Sequence, residues 1–167
     1  MSKTNVCITG LSQQFVDEIC KRLAIELDMF YANIQELFEY ELVDCEKMEA
    51  VCGLEYLLKE EQSIIRRVCG YENTLINIDF PIINNESTLE IVKSNCLLIY
   101  LRIDKDLFKN RQIIDGISIN LREINNDLFI LRDNVCKENA DIVIECNENT
   151  INDLISKIID QIIKYFT

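Results

Sequence analysis

The chain has 167 residues, with 29 acidic and 17 basic side chains, no histidine and a formal net charge of −12. Apolar residues make up 49% of it, which is enough for one hydrophobic core and excludes a disordered or collagen-like chain. The negative charge argues against nucleic-acid binding through phosphates, and the missing histidine removes the usual general base and the commonest zinc ligand. We therefore expect a single acidic globular domain over residues 1–167.

Apolar patterning along the chain predicts strands that alternate with helices. Residues 5–9 form a short apolar run that ends at Gly10, whereas Phe15, Ile19 and Leu23 recur every four residues, as on a buried helix face. The predicted strands are 5–9, 29–32, 74–78, 96–103 and 141–146. The predicted helices are 13–27, 34–43, 54–68, 87–93, 104–111, 117–132 and 150–166. Such alternation indicates an α/β fold with a mostly parallel sheet, in which ligands bind at the carboxyl ends of the strands.

Targeting signals and metal-binding motifs are not evident in the sequence. Residues 1–9 lack the charged-then-apolar pattern of a secretory signal, and no apolar run approaches the roughly 20 residues of a membrane span. None of the eight cysteines forms a Cys-x-x-Cys pair, so we expect most of them to be reduced and buried, and we expect no metal site. These features predict a cytoplasmic protein that does not bind membranes.

Three stretches of the sequence carry a resemblance to a known family. Residues 132–141 read Arg-Asp-Asn-Val-Cys-Lys-Glu-Asn-Ala-Asp and resemble the Arg-x-Pro-Leu-Tyr-x-Glu-x-Ala-Asp stretch of the shikimate kinases. Residues 31–39, Tyr-Ala-Asn-Ile-Gln-Glu-Leu-Phe-Glu, resemble that family's Phe-Ile-Asp-Thr-Asp-x-x-Ile-Glu, and residues 6–10 resemble the strand that enters its phosphate loop. The resemblance implies a three-layer P-loop kinase fold with a five-stranded parallel sheet in the order 2-3-1-4-5, flanked by helices.

The phosphate loop is where the sequence departs most from the family's Gly-x-x-x-x-Gly-Lys-Ser/Thr. Phe15 stands in place of the second glycine, Val16 in place of the lysine and Asp17 in place of the metal-binding hydroxyl; Gly10 and Ser12 belong to the same degenerate loop. A side chain at the glycine obstructs the cradle of backbone N–H groups, and a carboxylate repels phosphates. We expect ordinary ATP binding to be lost. The alternative is an unusual nucleotide pose, or a metal ion held by Asp17.

Asp17 and its neighbour Glu18 also have a structural interpretation. We expect both in the first turn of the helix 13–27, where the helix dipole favours anions. There the two carboxylates could replace the charge that a bound phosphate supplies in the family.

The positions of the family's metal and substrate ligands have also changed. Asn33 and Gln35 stand where the family has Asp-x-Asp, and an amide cannot take a proton from a substrate hydroxyl. The stretch Asp79-Phe80-Pro81 stands where the family has three glycines, and its bulky side chains would fill the space that glycines leave open. Leu58 replaces a substrate-facing arginine, whereas Glu61 of the same motif remains, either as a ligand-binding residue or as a solvated helix residue.

Two arginines could still contact a ligand. Arg132 matches a family arginine that grips the substrate carboxylate, and a guanidinium can hold a carboxylate through two hydrogen bonds. The alternative for Arg132 is a structural role in the last turn of the helix 117–132. Arg111 corresponds either to the arginine of the family's lid or to an earlier one that touches adenine, unless it is a surface cation. We interpret residues 104–116 as a shortened lid.

These departures favour a catalytically inactive shikimate kinase-like protein, a binding or regulatory pseudoenzyme without a cofactor whose partner is a protein or a small ligand. The first alternative is an active shikimate or other small-molecule kinase with a non-standard ATP site, which would use ATP and Mg²⁺ and hold the metal with Asp17 or Asp79. The second is a non-catalytic interaction module that forms a homodimer through the apolar surface of its C-terminal helix.

Overall fold

A computed structural model describes residues 3–42, 44–104, 113–114, 117–118, 126–147 and 150–167. The strands are β1 (Asn5–Gly10), β2 (Phe30–Asn33), β3 (Thr74–Asn77), β4 (Cys96–Arg102), β5 (Ile113–Ile114), β6 (Ile117–Ser118) and β7 (Ile142–Glu145). The helices are α1 (Gln13–Glu26), α2 (Ile34–Leu42), α3 (Cys45–Cys52), α4 (Leu54–Cys69), α5 (Phe80–Ile83), α6 (Glu86–Asn95), α7 (Asn126–Asn139) and α8 (Ile151–Phe166).

Five strands form one parallel sheet in the order β2-β3-β1-β4-β7. Because β7 is the fifth strand of this sheet along the chain, the predicted order 2-3-1-4-5 is confirmed. The central strand β1 is buried along its whole length, as expected for a strand that is covered on both faces. Since all five strands run in the same direction, their carboxyl ends meet at one edge of the sheet, which is named the carboxyl edge below.

Alternation along β1 divides the core into two layers. Val6 and Ile8 point to one face, where α1 and α8 pack, and Cys7 points to the other face, where α4 and α6 pack. The buried positions of α1 and α8 recur at helical spacing, so each helix presents one apolar stripe to the sheet. These positions are Phe15, Val16, Ile19, Cys20, Leu23 and Ala24 in α1, and Ile151, Leu154, Ile155, Ile158 and Ile162 in α8. The two layers give the three-layer α/β architecture that the sequence predicts.

Two short helices were not predicted. The helix α3 begins after Asp44, whose carboxylate accepts a hydrogen bond from the Lys47 N–H (3.0 Å). Its described side chains lie largely in solvent, so no apolar pattern could reveal it. The helix α5 contains Pro81 in its first turn, where the missing N–H of a proline costs no helical hydrogen bond. Pro81 therefore lies inside a helix.

The predicted helix 117–132 is wrong in its position. The structure has β6 at its start, and α7 begins at Asn126 and continues to Asn139. Arg132 therefore lies in the middle of a helix and not in a last turn. The buried positions of α7 include the carboxylate of Asp133, which weakens the apolar pattern on which the prediction rested.

Most of the segment interpreted as a shortened lid lies outside the described residues. Asp104 is described and is not helical, and β5 pairs with β6 as a short antiparallel hairpin. Residues 105–112, which include Arg111, belong to the part of the chain that is not described. None of the described helices is both long enough and apolar enough to cross a membrane.

Candidate functional site

The connection between β1 and α1 is a turn of two residues, Leu11 and Ser12. The N–H of Val16 already donates to the C=O of Ser12 (3.0 Å), so the backbone is helical from Gln13 onwards. Ser12 is buried, and its side chain makes no capping hydrogen bond to α1. The turn is therefore shorter than a glycine-rich loop, in which four residues separate the two glycines that allow the backbone to wrap around a phosphate.

Phe15 and Val16 lie inside the hydrophobic core. Their side chains are 0% and 1% exposed, and they pack in the core layer between the sheet and α8. Gly10 lies directly against Val16, because a Cβ added to Gly10 would be 2.6 Å from Cγ2 of Val16 and 3.2 Å from the carbonyl oxygen of Leu101. The side chain of Val16 thus fills the space beside the last residue of β1.

Asp17 is the centre of a polar network that joins α1 to β2 and β3. Its Oδ1 accepts hydrogen bonds from the Tyr31 hydroxyl (2.5 Å) and from Asn33 Nδ2 (3.1 Å), and its Oδ2 pairs with Lys21 Nζ (2.6 Å). Asn77 Nδ2 extends the network by donating to the Tyr31 hydroxyl (3.3 Å). Burial alone would raise the pKa of Asp17, but the donors Lys21, Tyr31 and Asn33 outweigh it and lower the pKa. The protein's own groups therefore hold Asp17 in its charged form.

Asp17 and Glu18 do not lie in the first turn of the helix, contrary to the sequence-based expectation. Because α1 begins at Gln13, both residues fall in the second turn, and the first turn contains no acidic residue. Glu18 pairs with Arg22 Nε (2.8 Å). Side-chain cations, rather than the helix dipole, thus balance the two carboxylates.

We predict that Asp17→Asn lowers the free energy of unfolding at pH 7 by about 1.5–3 kcal/mol, because the charged acceptor of three donors is lost. The pKa of Asp17 is lower in the folded protein than in the unfolded chain, so this stabilisation is present above the ordinary aspartate pKa and is lost as the pH falls. Urea denaturation should therefore show that the free energies of unfolding of the wild type and the variant differ at pH 7 and become similar as the pH falls below about 4.

The matched control for this prediction is Glu18→Gln, which removes a carboxylate from the exposed pair with Arg22 in the same helical turn. We expect a change of at most about 0.5 kcal/mol for the control. An Asp17→Asn variant as stable as Glu18→Gln at pH 7 would show that the network does not hold α1 to the sheet.

A small open pocket of about 240 Å³ lies beside this network. It is lined by Gln13, Gln14, Asp17, Asn33, Gln35, Glu36 and Asp79. Asn33 is fixed in place because it donates to Asp17 and its Oδ1 accepts from the Glu36 N–H (3.3 Å). Gln35 instead donates to Glu39 (2.7 Å) along α2. Four of the positions singled out in the sequence, Asp17, Asn33, Gln35 and Asp79, thus surround one cavity at the carboxyl edge.

Glu61, Asp79 and Arg132 form a second group near this pocket. Burial raises the pKa of Asp79, although backbone N–H donors and the charge of Arg132 oppose the rise. Burial and then the charge of Asp79 raise the pKa of Glu61. The guanidinium of Arg132 lies over the Phe80 ring, 5.0 Å from its centroid. Buried Nε of Arg132 and Oδ1 of Asp79 have no hydrogen-bond partner among the described residues, so both could contact a ligand.

We predict that Glu61→Gln raises the free energy of unfolding at pH 7 by about 0.5–1 kcal/mol, because it removes a half-buried charge that is repelled by Asp79. The pKa of Glu61 is higher in the folded protein than in the unfolded chain. Its favourable contribution is therefore present at low pH and is lost as the pH rises through the folded pKa, so the variant should gain little below about pH 4.

Thermal unfolding of Glu61→Gln at pH 7 and below about pH 4 measures this effect. The control is Glu90→Gln, which changes an exposed carboxylate of α6. The control should unfold at the wild-type temperature. If Glu61→Gln were less stable than the wild type at pH 7, Glu61 would have a cationic partner, and the account of this carboxyl pair would be wrong.

The sequence-based prediction of the site missed two residues, and one position that it singled out, Leu58, does not line the pocket. Tyr31 and Asn77 complete the network around Asp17; the available signal was that Asn77 is a polar residue in an otherwise apolar predicted strand. Leu58 is more than one-third exposed on α4 and does not line the pocket. Arg111 lies outside the described residues, so its contact with a ligand stays a prediction.

Among the described residues there is no group of three or more cysteine, aspartate or glutamate side chains that could hold a metal ion. The side chains of seven of the eight cysteines are described, and all seven are free thiols: Cys7, Cys20, Cys52, Cys69, Cys96, Cys136 and Cys146. Six of them are buried and Cys52 is exposed.

No protein-family model matches the chain, and a comparison with curated protein sequences finds no significant match. Solved structures do match. Shikimate kinase from Aquifex aeolicus superimposes with a TM-score of 0.74 at 17% identity, covering 95% of each chain. The chain has a shikimate kinase-like fold. Shikimate kinase from Acinetobacter baumannii in complex with shikimate matches 98% of this chain and 95% of its own (TM-score 0.75, 19% identity). Shikimate kinase from Bacteroides thetaiotaomicron matches 96% of this chain and 99% of its own (TM-score 0.71, 13% identity).

The pocket and the Glu61–Asp79–Arg132 group lie in the region of this shikimate kinase-like fold where ligands are expected. In open α/β sheets, ligands bind outside the carboxyl ends of the strands. Asp17 follows β1, Asn33 ends β2 and Asp79 follows β3. Three adjacent strands therefore deliver polar side chains to one cavity.

Proposed function

We propose that this chain is a non-catalytic shikimate kinase-like protein that acts by binding and does not transfer phosphate from ATP. One observation carries the proposal: Val16 is buried against Gly10, at the position where the family has the lysine of its phosphate loop. A lysine that neutralises the β- and γ-phosphates must reach an open loop. A buried valine beside a two-residue turn can neither neutralise phosphates nor leave room for them.

The charges near the turn support the same proposal. The cation nearest to Asp17, Lys21, is half-exposed and already pairs with that carboxylate. A phosphate brought to this turn would therefore compete with Asp17 for Lys21 and would be repelled by Asp17 itself. Since Asp17 also holds Tyr31 and Asn33, releasing Lys21 to a phosphate would disturb the whole network.

The binding half of the proposal rests on the polar groups that remain at the carboxyl edge. Arg132 Nε and Asp79 Oδ1 are buried without a hydrogen-bond partner among the described residues, which is costly unless a ligand or water satisfies them. Arg132 could hold a carboxylate, and Asp79 and Glu61 could accept hydrogen bonds from hydroxyl groups. A small hydroxylated carboxylic acid fits this combination of donors and acceptors.

An assay of ADP formation with ATP, Mg²⁺ and shikimate tests the loss of activity, with an active shikimate kinase assayed in parallel. We expect no ADP formation that depends on shikimate. The competing candidate is an active small-molecule kinase with a non-standard ATP site. It is favoured by Asp17 and Asp79, which line one pocket and whose carboxylates could hold Mg²⁺. Shikimate-dependent turnover that Asp79→Ala abolishes would establish that candidate and overturn the proposal.

Thermal unfolding with shikimate in the absence of nucleotide tests the binding half separately. A ligand of the folded state raises the unfolding temperature. We expect shikimate to raise it in the wild type and in Arg66→Gln, which changes an exposed arginine of α4, but not in Arg132→Gln. If none of the three proteins responds, the Glu61–Asp79–Arg132 group does not bind this ligand class.

A further inference from the structure

A groove of about 800 Å³ lies beside β2, between α2 and the end of α4, and it shares Asn33 and Glu36 with the pocket at the carboxyl edge. It is named the β2 groove here. Its apolar walls are Phe30 of β2, Leu37 and Tyr40 of α2, Val68 of α4 and Tyr71, and exposed Glu36 and Glu72 also line it. Tyr31 and Asn33, which donate hydrogen bonds to Asp17, also line the groove, but the proposed function assigns no ligand to it.

The main chain at this side of the sheet is available for pairing. In the part of the chain that the structure describes, β2 is the outermost strand of the sheet and pairs with β3 alone. The Phe30 N–H donates to the C=O of Asn73 (2.9 Å), which directs the polar groups of Phe30 towards β3. Because successive residues of a strand point their N–H and C=O groups to opposite sides, those of Tyr31 face the open side.

Exposed aromatic side chains lie beside β2, as is typical of surfaces that bind other proteins. Natural edge strands are usually protected from pairing by lysine or proline, but β2 reads Phe-Tyr-Ala-Asn. Phe30 is 73% exposed and Tyr40 is 83% exposed, and both belong to the same groove. Clustered exposed aromatic residues mark interaction surfaces, since burying them is strongly favourable.

The charge of the groove indicates the charge of its partner. No lysine or arginine lines it among the described residues, whereas Glu36 and Glu72 do. Arg67 lies near Tyr71 and is paired with Glu41. A second copy of this chain would bring the same carboxylates and a further net charge of −12 to the contact, so self-association is opposed by repulsion.

We infer that the β2 groove binds an extended, basic segment of a partner protein, which adds to the sheet as a strand beside β2. Backbone hydrogen bonds to Tyr31 give it register, alternate apolar side chains enter the groove, and lysine or arginine side chains face Glu36 and Glu72. This interaction does not depend on whether the chain transfers phosphate. A test of peptide binding can therefore fail without contradicting the proposed function, and the reverse also holds.

The test uses the full chain and an acetylated, amidated eight-residue peptide of alternating valine and lysine, in 0.15 M salt. We expect saturable binding by isothermal titration calorimetry. We expect affinity at least about tenfold weaker for the valine–glutamate peptide and for a valine–lysine peptide with methylated backbone nitrogens. In the complex, the amide hydrogen of Tyr31 should exchange more slowly with solvent, since it donates to the added strand.

Matched variants locate the binding. Tyr40→Ser should weaken it about three- to tenfold, whereas Tyr165→Ser, at an exposed tyrosine of α8, should leave it unchanged. The double variant Glu36→Gln/Glu72→Gln should weaken it to a similar extent, and Glu46→Gln/Glu90→Gln, with the same loss of charge elsewhere, should have a smaller effect. Equal effects of groove and control variants, or equal binding of all three peptides, would overturn the inference.

Two other occupants of the groove are also outcomes of these measurements. Sedimentation that shows a dimer, dissociated by Tyr40→Ser but not by Tyr165→Ser, would assign the groove to a second copy of this chain. Binding of the apolar dye 1-anilinonaphthalene-8-sulfonate that depends on Tyr40, without any peptide binding, would assign it to a small apolar ligand. Either result would overturn the inference of a basic partner strand.

Discussion

Phe15→Ala is expected to lower the free energy of unfolding by about 3–5 kcal/mol, because it removes a fully buried aromatic ring from the core. The resemblance aligns Phe15 with a glycine of the shikimate kinase phosphate loop, and on its own it would therefore suggest that a small residue is tolerated. Phe15 packs against Val6 and Ile8 of β1 and Ile19 of α1, in the core layer between the sheet and α8. Chemical denaturation followed by circular dichroism measures the effect.

The matched control is Phe166→Ala, which truncates a partly exposed phenylalanine at the end of α8. We expect it to cost less than about 1 kcal/mol, since solvent can occupy the vacated space. If Phe15→Ala were as mild as the control, residues 13–16 would not form the first turn of a core helix. The space for a phosphate loop would then remain open.

Val16→Lys, which introduces the family's lysine, is expected to destabilise the protein by about 4 kcal/mol or more and not to restore nucleotide binding. Val16 is 1% exposed and lies against Gly10, so the new ammonium group would be buried without a partner. The protein can reduce this cost by burying the lysine in its neutral form, and the stability of the variant should therefore improve as the pH rises. Urea denaturation between pH 7 and pH 10 measures both effects.

Val51→Lys is the control for the same change of side chain, because Val51 is 76% exposed on α3. We expect its stability to stay close to that of the wild type at every pH. A Val16→Lys variant that is as stable as this control, and that gains ATP binding, would show that the turn after β1 can open into a phosphate loop.

Much of the fold could be predicted from the sequence because the buried elements carry strong patterns. The strand β4 and the helices α1 and α8 combine continuous or periodic apolar residues with clear ends, and their predicted limits agree with the structure to within a residue or two. The sheet order came from the resemblance and not from any pattern. The exposed helix α3 and the helix α7, which buries Asp133, lack such patterns, and both were missed or misplaced.

The candidate site was harder to predict, since its residues come together through the fold. The sequence indicated that Asp17 replaces a metal-binding hydroxyl, but not that Tyr31 and Lys21 would hold it. The apolar pattern predicts a helix from residue 13 and therefore a short turn after β1, whereas the resemblance suggests a longer loop. The structure agrees with the apolar pattern, because Phe15 and Val16 are buried and α1 begins at Gln13.

The side chains of residues 15–17, which the resemblance aligns with the phosphate loop, are built into the hydrophobic core and into a polar network. Val16 fills the space beside Gly10, and Asp17 ties α1 to β2 through Asn33 and Tyr31. These side chains therefore contribute to stability, and changing them to the residues of the family's loop should cost stability without creating an ATP site.

Calorimetric titration of the full chain with ATP and Mg²⁺ tests this claim most directly. We expect no saturable heat at ATP concentrations up to about 1 mM, that is, a Kd weaker than this value. Saturable binding with a Kd in the micromolar range, accompanied by a rise in the unfolding temperature, would contradict it.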